Sequence, residues 1–407
     1  MKNADMTVET PKKKSKALFF VLGLAAVIAV VFLVINISFA KPAEKLIRGL
    51  IKLAKTDKYT TTATIDIAYD GDEEEADLLN GLTIKLETAA DMNELFTQLT
   101  LELLYSKKPV IQIAAGLNNE DFYLDLKNLY KKLFYQDVED VIPQYPDYVN
   151  DYKIVKKASE GISLKFDSKK YMKIVNNVLD DNIKESGNKI ILTLDSTLMS
   201  ELFTALLEEA EDDNKLMESV RKNAIDLINR IVKEEKKLKI IDIDDLEKAL
   251  DILEDKDDFE EHYRNEINDA LKRFDHMDYS PPGITGLYNG FDVAKIPGME
   301  LTFRLGPGNT INGIDFATEI EDGVEMFVKC DIKKGTNFTK VNRKNSIEIS
   351  ELLNDGDIEE VVGEITENLI ESVKKNKDLT KKIEDLTGQD IEETFEMMMY
   401  GVSNFIR

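Results

Sequence analysis

The stretch from Ala17 to Ile35 carries no charged residue, and only Asn36 and Ser38 interrupt its apolar character up to Ala40. A membrane-spanning helix needs roughly 20 apolar residues, whereas the apolar region of a cleaved secretory signal usually holds only about 7 to 15. Length therefore predicts a transmembrane anchor over residues 17–40. A core helix of a soluble domain is ruled out, because Val, Ile, Leu, Phe and Ala occupy every side and leave no polar face for water. Ser38 and Ala40 stand at the small-x-small positions that a signal peptidase accepts, so cleavage before Lys41 remains the alternative.

Orientation follows from Lys12, Lys13, Lys14 and Lys16, which precede the run. Cationic flanks stay in the cytoplasm, so residues 1–16 are expected to be a cytoplasmic tail and the rest of the chain extracytoplasmic. No cysteine stands near the end of the run to accept a lipid.

Composition bounds the outer part. Residues 1–40 take five of 53 basic and two of 78 acidic residues, leaving 48 against 76 and a net charge of −28. Such a surface repels nucleic acid and does not adhere flat to anionic headgroups through charge. Cys330 is the only cysteine, so no internal disulfide can staple the fold. It alternates in phase with Val324, Met326, Val328 and Ile332, which places it inward as a small hydrophobe.

Along the chain, Pro42 and the repeat of Leu46, Leu50 and Leu53 predict a helix over residues 42–57. The apolar period then becomes two: Ile65, Ile67 and Tyr69; Leu82, Ile84 and Leu86; Leu99, Leu101, Leu103 and Tyr105; Ile111 and Ile113; Phe122, Leu124 and Leu126. These are strands with one buried face, joined as an antiparallel meander, with an acidic loop at 70–75. Residues 168–274 change to helical spacing, with stripes at Leu216, Val220, Ala224, Leu227 and Ile231 and at Leu246, Leu250 and Leu253. One strand, 188–194, interrupts them. Ser280-Pro-Pro-Gly breaks the chain. Residues 299–341 return to strand period through Met299, Leu301, Phe303 and Leu305, then Ile314, Phe316 and Ile320. A helix bearing Ile358, Val361, Val362, Ile365 and Leu369 closes the series.

The expected class is α+β: an N-terminal transmembrane helix, then a curved antiparallel sheet built from N- and C-terminal strand groups around a large helical insertion. The expected division is a tail at 1–16, an anchor at 17–40, a β-rich part at 41–165, a helical part at 166–279, and hairpins with closing helices at 280–407.

Chemistry-bearing motifs are sparse. His262 lies four residues before Glu266, but the His-Glu-x-x-His order of a zinc-protease helix is absent, and His276 is the only other histidine. Asp70, Asp72 and Glu74 alternate like a calcium loop without its glycine or its closing glutamate. Ser219 and Lys222 match Ser-x-x-Lys inside an amphipathic helix, without companion motifs. No Gly-rich phosphate loop occurs. The aromatic-rich residues 121–137 read as core with a wet rim, or as a partner groove. No cofactor or metal is expected.

The anchor, the first helix feeding alternating strands and the hairpin passage through Gly313, Ile314, Asp315 and Phe316 resemble uncharacterised membrane-tethered extracytoplasmic proteins of Gram-positive bacteria. In form they also resemble the half-barrel of lipoprotein carriers, a curved antiparallel sheet wrapping a helix. That resemblance covers residues 42–130 and 299–375 and implies a concave apolar surface able to hold a lipid or another apolar partner. Two function classes follow. One is a non-enzymatic binding or scaffolding ectodomain whose working face bears Ile65, Ile67, Leu99, Leu101, Leu301 and Phe303 and meets an apolar ligand or an envelope protein. The other is an extracytoplasmic hydrolase using a carboxylate pair that spacing cannot reveal.

Overall fold

The computed structural model describes residues 41–71, 73–118, 120–275, 299–321, 323–355 and 358–395. The apolar run at 17–40, the Ser-Pro-Pro-Gly break and His276 lie outside the described residues, as does the side chain of Glu74. Among the described residues no helix is long and apolar enough to cross a membrane.

The chain is α+β and divides into two compact units that alternate along the sequence. One comprises Arg48–Lys153, Asp180–Asp195 and Ile296–Arg407 and holds the sheet; the other comprises the segment up to Ile47, Ile154–Leu179 and Ser196–Lys295, and its described residues are mainly helical. In chain order the elements are α1 (Pro42–Ala54), β1 (Lys58–Tyr69), α2 (Glu73–Asn80), β2 (Leu82–Asp91), β3 (Phe96–Tyr105), β4 (Lys108–Leu117), β5 (Asp121–Asp125), β6 (Leu133–Asp137), α3 (Val138–Val141) and α4 (Tyr145–Ser159). Next come α5 (Ser168–Leu179), β7 (Ile183–Ser186), β8 (Lys189–Leu194), α6 (Ser196–Asp212), α7 (Asn214–Val232), α8 (Ile243–Glu254) and α9 (Lys256–Asp275). The last group is β9 (Met299–Gly306), β10 (Thr310–Glu321), β11 (Val324–Lys334), β12 (Ser346–Glu348), α10 (Ile349–Asp355), α11 (Ile358–Lys375) and α12 (Lys377–Thr387).

Twelve strands form one open, curved sheet in the order β12-β6-β5-β4-β3-β2-β1-β11-β10-β9-β8-β7. The N-terminal meander and the C-terminal hairpins do build one sheet, since β1 pairs β11. Three expectations need correction. The sheet is mixed, because β12 runs parallel to β6. The segment after β11 is pinned across the sheet by Thr339, whose N–H donates to Gln98 Oε1 at 2.8 Å, and so it delivers β12 to that edge in the parallel sense. The middle of the chain supplies a hairpin, β7–β8, that extends the sheet beyond β9, where a lone strand was expected. The expected acidic loop carries a helix instead, α2, whose last residue holds β1: Asn80 accepts from Tyr69 N at 2.7 Å and donates to its carbonyl at 3.1 Å.

The helical unit packs around Met217, Ile228, Ile231, Leu246, Ala249, Leu253 and Phe259, with Val220, Ala224, Leu227 and Leu250 around them. These include the expected stripes, with Leu216 buried as well. Asp213 caps α7, its Oδ1 accepting from Lys215 and Leu216 N–H at 3.0 Å each. Ser219 and Lys222 perform structural tasks: Ser219 Oγ accepts from Lys165 N at 2.7 Å, and Lys222 pairs with Glu218 at 3.2 Å. Arg221 grips Glu218 with two parallel bonds of 3.0 Å and reaches the Leu253 carbonyl, tying α7 to the end of α8.

The Arg221 bonds lower Glu218 from its ordinary 4.5 to about 2. A depressed folded-state value means stability that is fully present above about pH 4.5 and lost as pH falls toward about 2. Solvent screening at this partly exposed site holds the contribution to about 1 kcal/mol. Glu218→Gln should therefore lower neutral-pH stability by about that amount and flatten the acid limb between pH 4.5 and 2, measured by urea denaturation across pH. An unchanged acid limb would contradict this.

Candidate apolar binding face

Residues opposite one another in an antiparallel pair share a face, so register assigns each side chain. Ile65 stands opposite Val328 on one side and Ile84 on the other. Val328 stands opposite Phe316, and Phe316 opposite Leu301. One row along, Leu101 faces Leu86, Leu86 faces Ala63, Ala63 faces Cys330, Cys330 faces Ile314, and Ile314 faces Phe303. Ile67 and Leu99 fall in phase with these rows. The structure therefore brings Ile65, Ile67, Leu99, Leu101, Leu301 and Phe303 onto one face of one sheet. Cys330 lies half-buried among them, and burial raises its thiol pKa.

Coverage of that face is uneven. At the β8–β10 side, Ile190, Leu192, Phe303 and Ile311 are buried. There α1 approaches so closely that a Cβ on Gly49 would lie 2.7 Å from the Ile311 side chain. At the turn between β3 and β4, Tyr105 and Val110 pack with Val373 of α11, with Ile391, and with Leu379 and Ile383 of α12. Asn376 fixes this lid, donating to the Tyr105 carbonyl at 2.9 Å while accepting from Leu379 N. Between those two anchors Ile65, Ile67, Ile84, Leu86, Leu101 and Ile113 are only half-buried. Leu99 is 49% exposed. A second apolar surface lies on α11, where Ile358, Val362 and Ile370 with Phe395 line a groove of about 620 Å³. The expected closing stripe is thus divided: Val361 turns into the core, whereas Ile358 and Val362 turn out.

The opposite face is polar. Thr62, Thr64, Lys85, Glu102, Asp315 and Asp331 lie on it, and Lys85 pairs with Glu102 at 3.1 Å. Arg304 bridges Asp315 at 3.0 Å and Asp331 at 2.6 Å, and donates to the Cys330 carbonyl. Toward β5 this face is covered. The Tyr123 ring lies over Gly116, where a Cβ would be 2.2 Å from it, and the Tyr123 hydroxyl donates to Gln98 at 2.6 Å. Burial pushes Tyr123 up to about 12. Near β12, Arg343 donates to buried Asp121 at 2.7 Å, also pairs with Asp137, and stacks on Tyr135.

Asp315 and Asp331 converge on Arg304, and Asp121 and Asp137 converge on Arg343, which bridges them. His262 bonds its own helix, with Nδ1 2.8 Å from the Asp258 carbonyl on an exposed surface. Among the described residues no group of three or more His, Cys, Asp or Glu could hold a metal ion. In the aromatic-rich stretch, Tyr123 and Phe134 are buried, Tyr130 stacks on Phe134 at 5.1 Å, and Phe122 is exposed. That is the core-and-rim pattern. Gln98, Thr339, Arg304 and Arg343 were not singled out from sequence; an arginine inside a strand pattern was the available signal for Arg304.

No protein-family model, no curated protein and no solved structure matches the chain.

Gln98 accepts from both the Tyr123 hydroxyl and the Thr339 N–H through one oxygen. Gln98→Ala should leave two donors unpaired and cost about 3 kcal/mol, with increased proteolysis of the 336–345 segment; Gln98→Glu keeps the acceptor and should cost less. Equal stability of Gln98→Ala and the parent, by denaturant titration, would contradict the pinning role.

Proposed function

We propose that this chain is a single-pass, membrane-tethered extracytoplasmic protein of binding or scaffolding type, and that it holds an apolar ligand or the apolar surface of an envelope protein on its sheet. The observation that carries the reading is the half-buried strip across β1–β4, where Leu99 and Leu101 continue the buried apolar face into solvent contact. Contiguous exposed apolar surface is costly in water and marks interaction sites. The open, curved sheet with helices at its rims is in keeping with the half-barrel resemblance of the sequence. The length of the run at 17–40 and the lysines before it support the tether and its orientation.

A non-enzymatic role is favoured because Asp315 with Asp331, and Asp121 with Asp137, are each engaged by an arginine. A general acid or a nucleophile needs a carboxylate free to change its proton or bond state during the reaction. Here the acids serve as strand-to-strand clamps.

The full chain, purified from membranes in mild detergent, should release an apolar small molecule on solvent extraction, identified by mass spectrometry. Leu99→Asp combined with Leu101→Asp should lower the recovered amount at least tenfold, because a charge on an apolar binding face carries a desolvation penalty. Recovery of no apolar molecule from the parent, together with no co-purifying envelope protein, would overturn the proposal.

A further inference from the structure

The helical unit carries a small cavity of about 210 Å³ at the start of α1 and along α5. Its volume is below the roughly 300 to 1,000 Å³ of sites for drug-sized ligands, which suits a single polar group. Lys41 lines it at the start of α1, and Lys169 and Lys173, at helical spacing, line it from α5. Asn176 and Asn177, the next positions on that face of α5, bring amides, and buried Met172 supplies an apolar wall.

All three lysines are exposed, and none forms an ion pair among the described residues. That contrasts with the chain around them, which holds 76 acids against 48 basic residues beyond residue 40 and pairs many other lysines with carboxylates. The single carboxylate in the cavity, Glu44, is turned to its own surroundings. Its Oε2 accepts from Lys41 N at 3.2 Å and its Oε1 from Asn176 Nδ2 at 3.4 Å. The cavity is thus lined by three lysines and one engaged acid.

Its place in the chain identifies the anion. Lys41 is the first residue after the apolar run at 17–40, so a spanning run sets Lys41 at headgroup depth on the outer side. We propose that this pocket takes the phosphodiester headgroup of an anionic phospholipid in the leaflet from which the tether emerges. Lys41, Lys169 and Lys173 contact the phosphate oxygens, Asn177 donates to phosphate or glycerol oxygen, and the acyl chains stay in the bilayer. The inference rests on the tether reading. The net charge of −28 does not oppose it, since repulsion from distant acids is screened beyond about 8 Å at physiological ionic strength while the lysines act at contact.

Native mass spectrometry of the full chain in detergent tests it, with phosphatidylglycerol and phosphatidylcholine of identical acyl chains as probes. Phosphatidylglycerol should be retained in preference to phosphatidylcholine. Lys169→Gln with Lys173→Gln should lower its retention about tenfold or more, and Lys169→Arg with Lys173→Arg should restore it. Lys272→Gln, at an exposed pair with Asp269 on α9, should leave it unchanged, which separates this site from a general loss of positive charge. Equal retention by the glutamine variant and the parent, with both still in the alkali-resistant membrane fraction, would overturn the site and leave the tether standing. Displacement of the lipid by millimolar inorganic phosphate would overturn the lipid as the source of the anion. Recovery of a soluble mature chain beginning at Lys41 would overturn the tether and this inference together.

Discussion

The pairing of β1 with β11 is the interaction on which the sheet depends. Eleven consecutive residue pairs, from Tyr59 opposite Lys334 to Tyr69 opposite Val324, join strands separated by well over half the chain. The ladder runs on at both ends, with Asp70 N donating to the Gly323 carbonyl at 3.1 Å and Gly335 N to the Lys58 carbonyl at 2.9 Å. Gly323 and Gly335 both have positive φ, 79° and 90°, and so allow the chain to turn where the pairing begins and ends. Without this contact β1 and β11 would each be a long unpaired edge, a template for aggregation. With it, the meander and the hairpins share one apolar face, and the two outer edges of the sheet are the short strands β12 and β7.

That shared face explains why so much of the sheet was legible. Ile65, Ile67, Leu99, Leu101, Leu301 and Phe303 each sit in a strict two-residue alternation, and a period of two has meaning only on a pleated strand. Helical stripes such as Leu246, Leu250 and Leu253 were equally direct. Other features carried no local signal. β12 has three residues, too few for any period, and its direction is set by contacts of the preceding segment with Gln98, Asp121 and Asp137. The α2 segment opens with three glutamates and reads as an acidic loop, yet Leu78 packs with Tyr105 and Val110 and so stabilises a helix there. In α1 the buried hydrophobic side chains are Ala43, Leu46, Ile47 and Ile51, a stripe rotated from the Leu46, Leu50 and Leu53 series, because the contact of Gly49 with Ile311 favours small residues and close approach.

The acidic character of the chain shapes its polar face. An excess of carboxylates near one another would strain a sheet, and arginine, with its planar fork of donors, can serve two at once. Arg304 joins Asp315 and Asp331 across three strands, β9, β10 and β11. Arg343 joins Asp121 of β5 to Asp137 of β6 and fixes the approach to β12. These clamps depend on register, which neighbouring positions in sequence do not reveal, so they could not be read before the strands were paired. Lysines, the commoner base in this chain, lie mainly at exposed positions where single pairs contribute little.

The most direct test of this architecture uses the single cysteine. Ala63 stands opposite Cys330 in the β1–β11 ladder, within the span a disulfide can bridge between directly paired strand residues. Ala63→Cys should form an intramolecular disulfide with Cys330 under mild oxidation, detected as one linked peptide pair after digestion. Thr64→Cys, on the opposite face, should not. Failure of Ala63→Cys to cross-link in the folded chain, or equal cross-linking from Thr64→Cys, would contradict the pairing that makes the two strand groups one sheet.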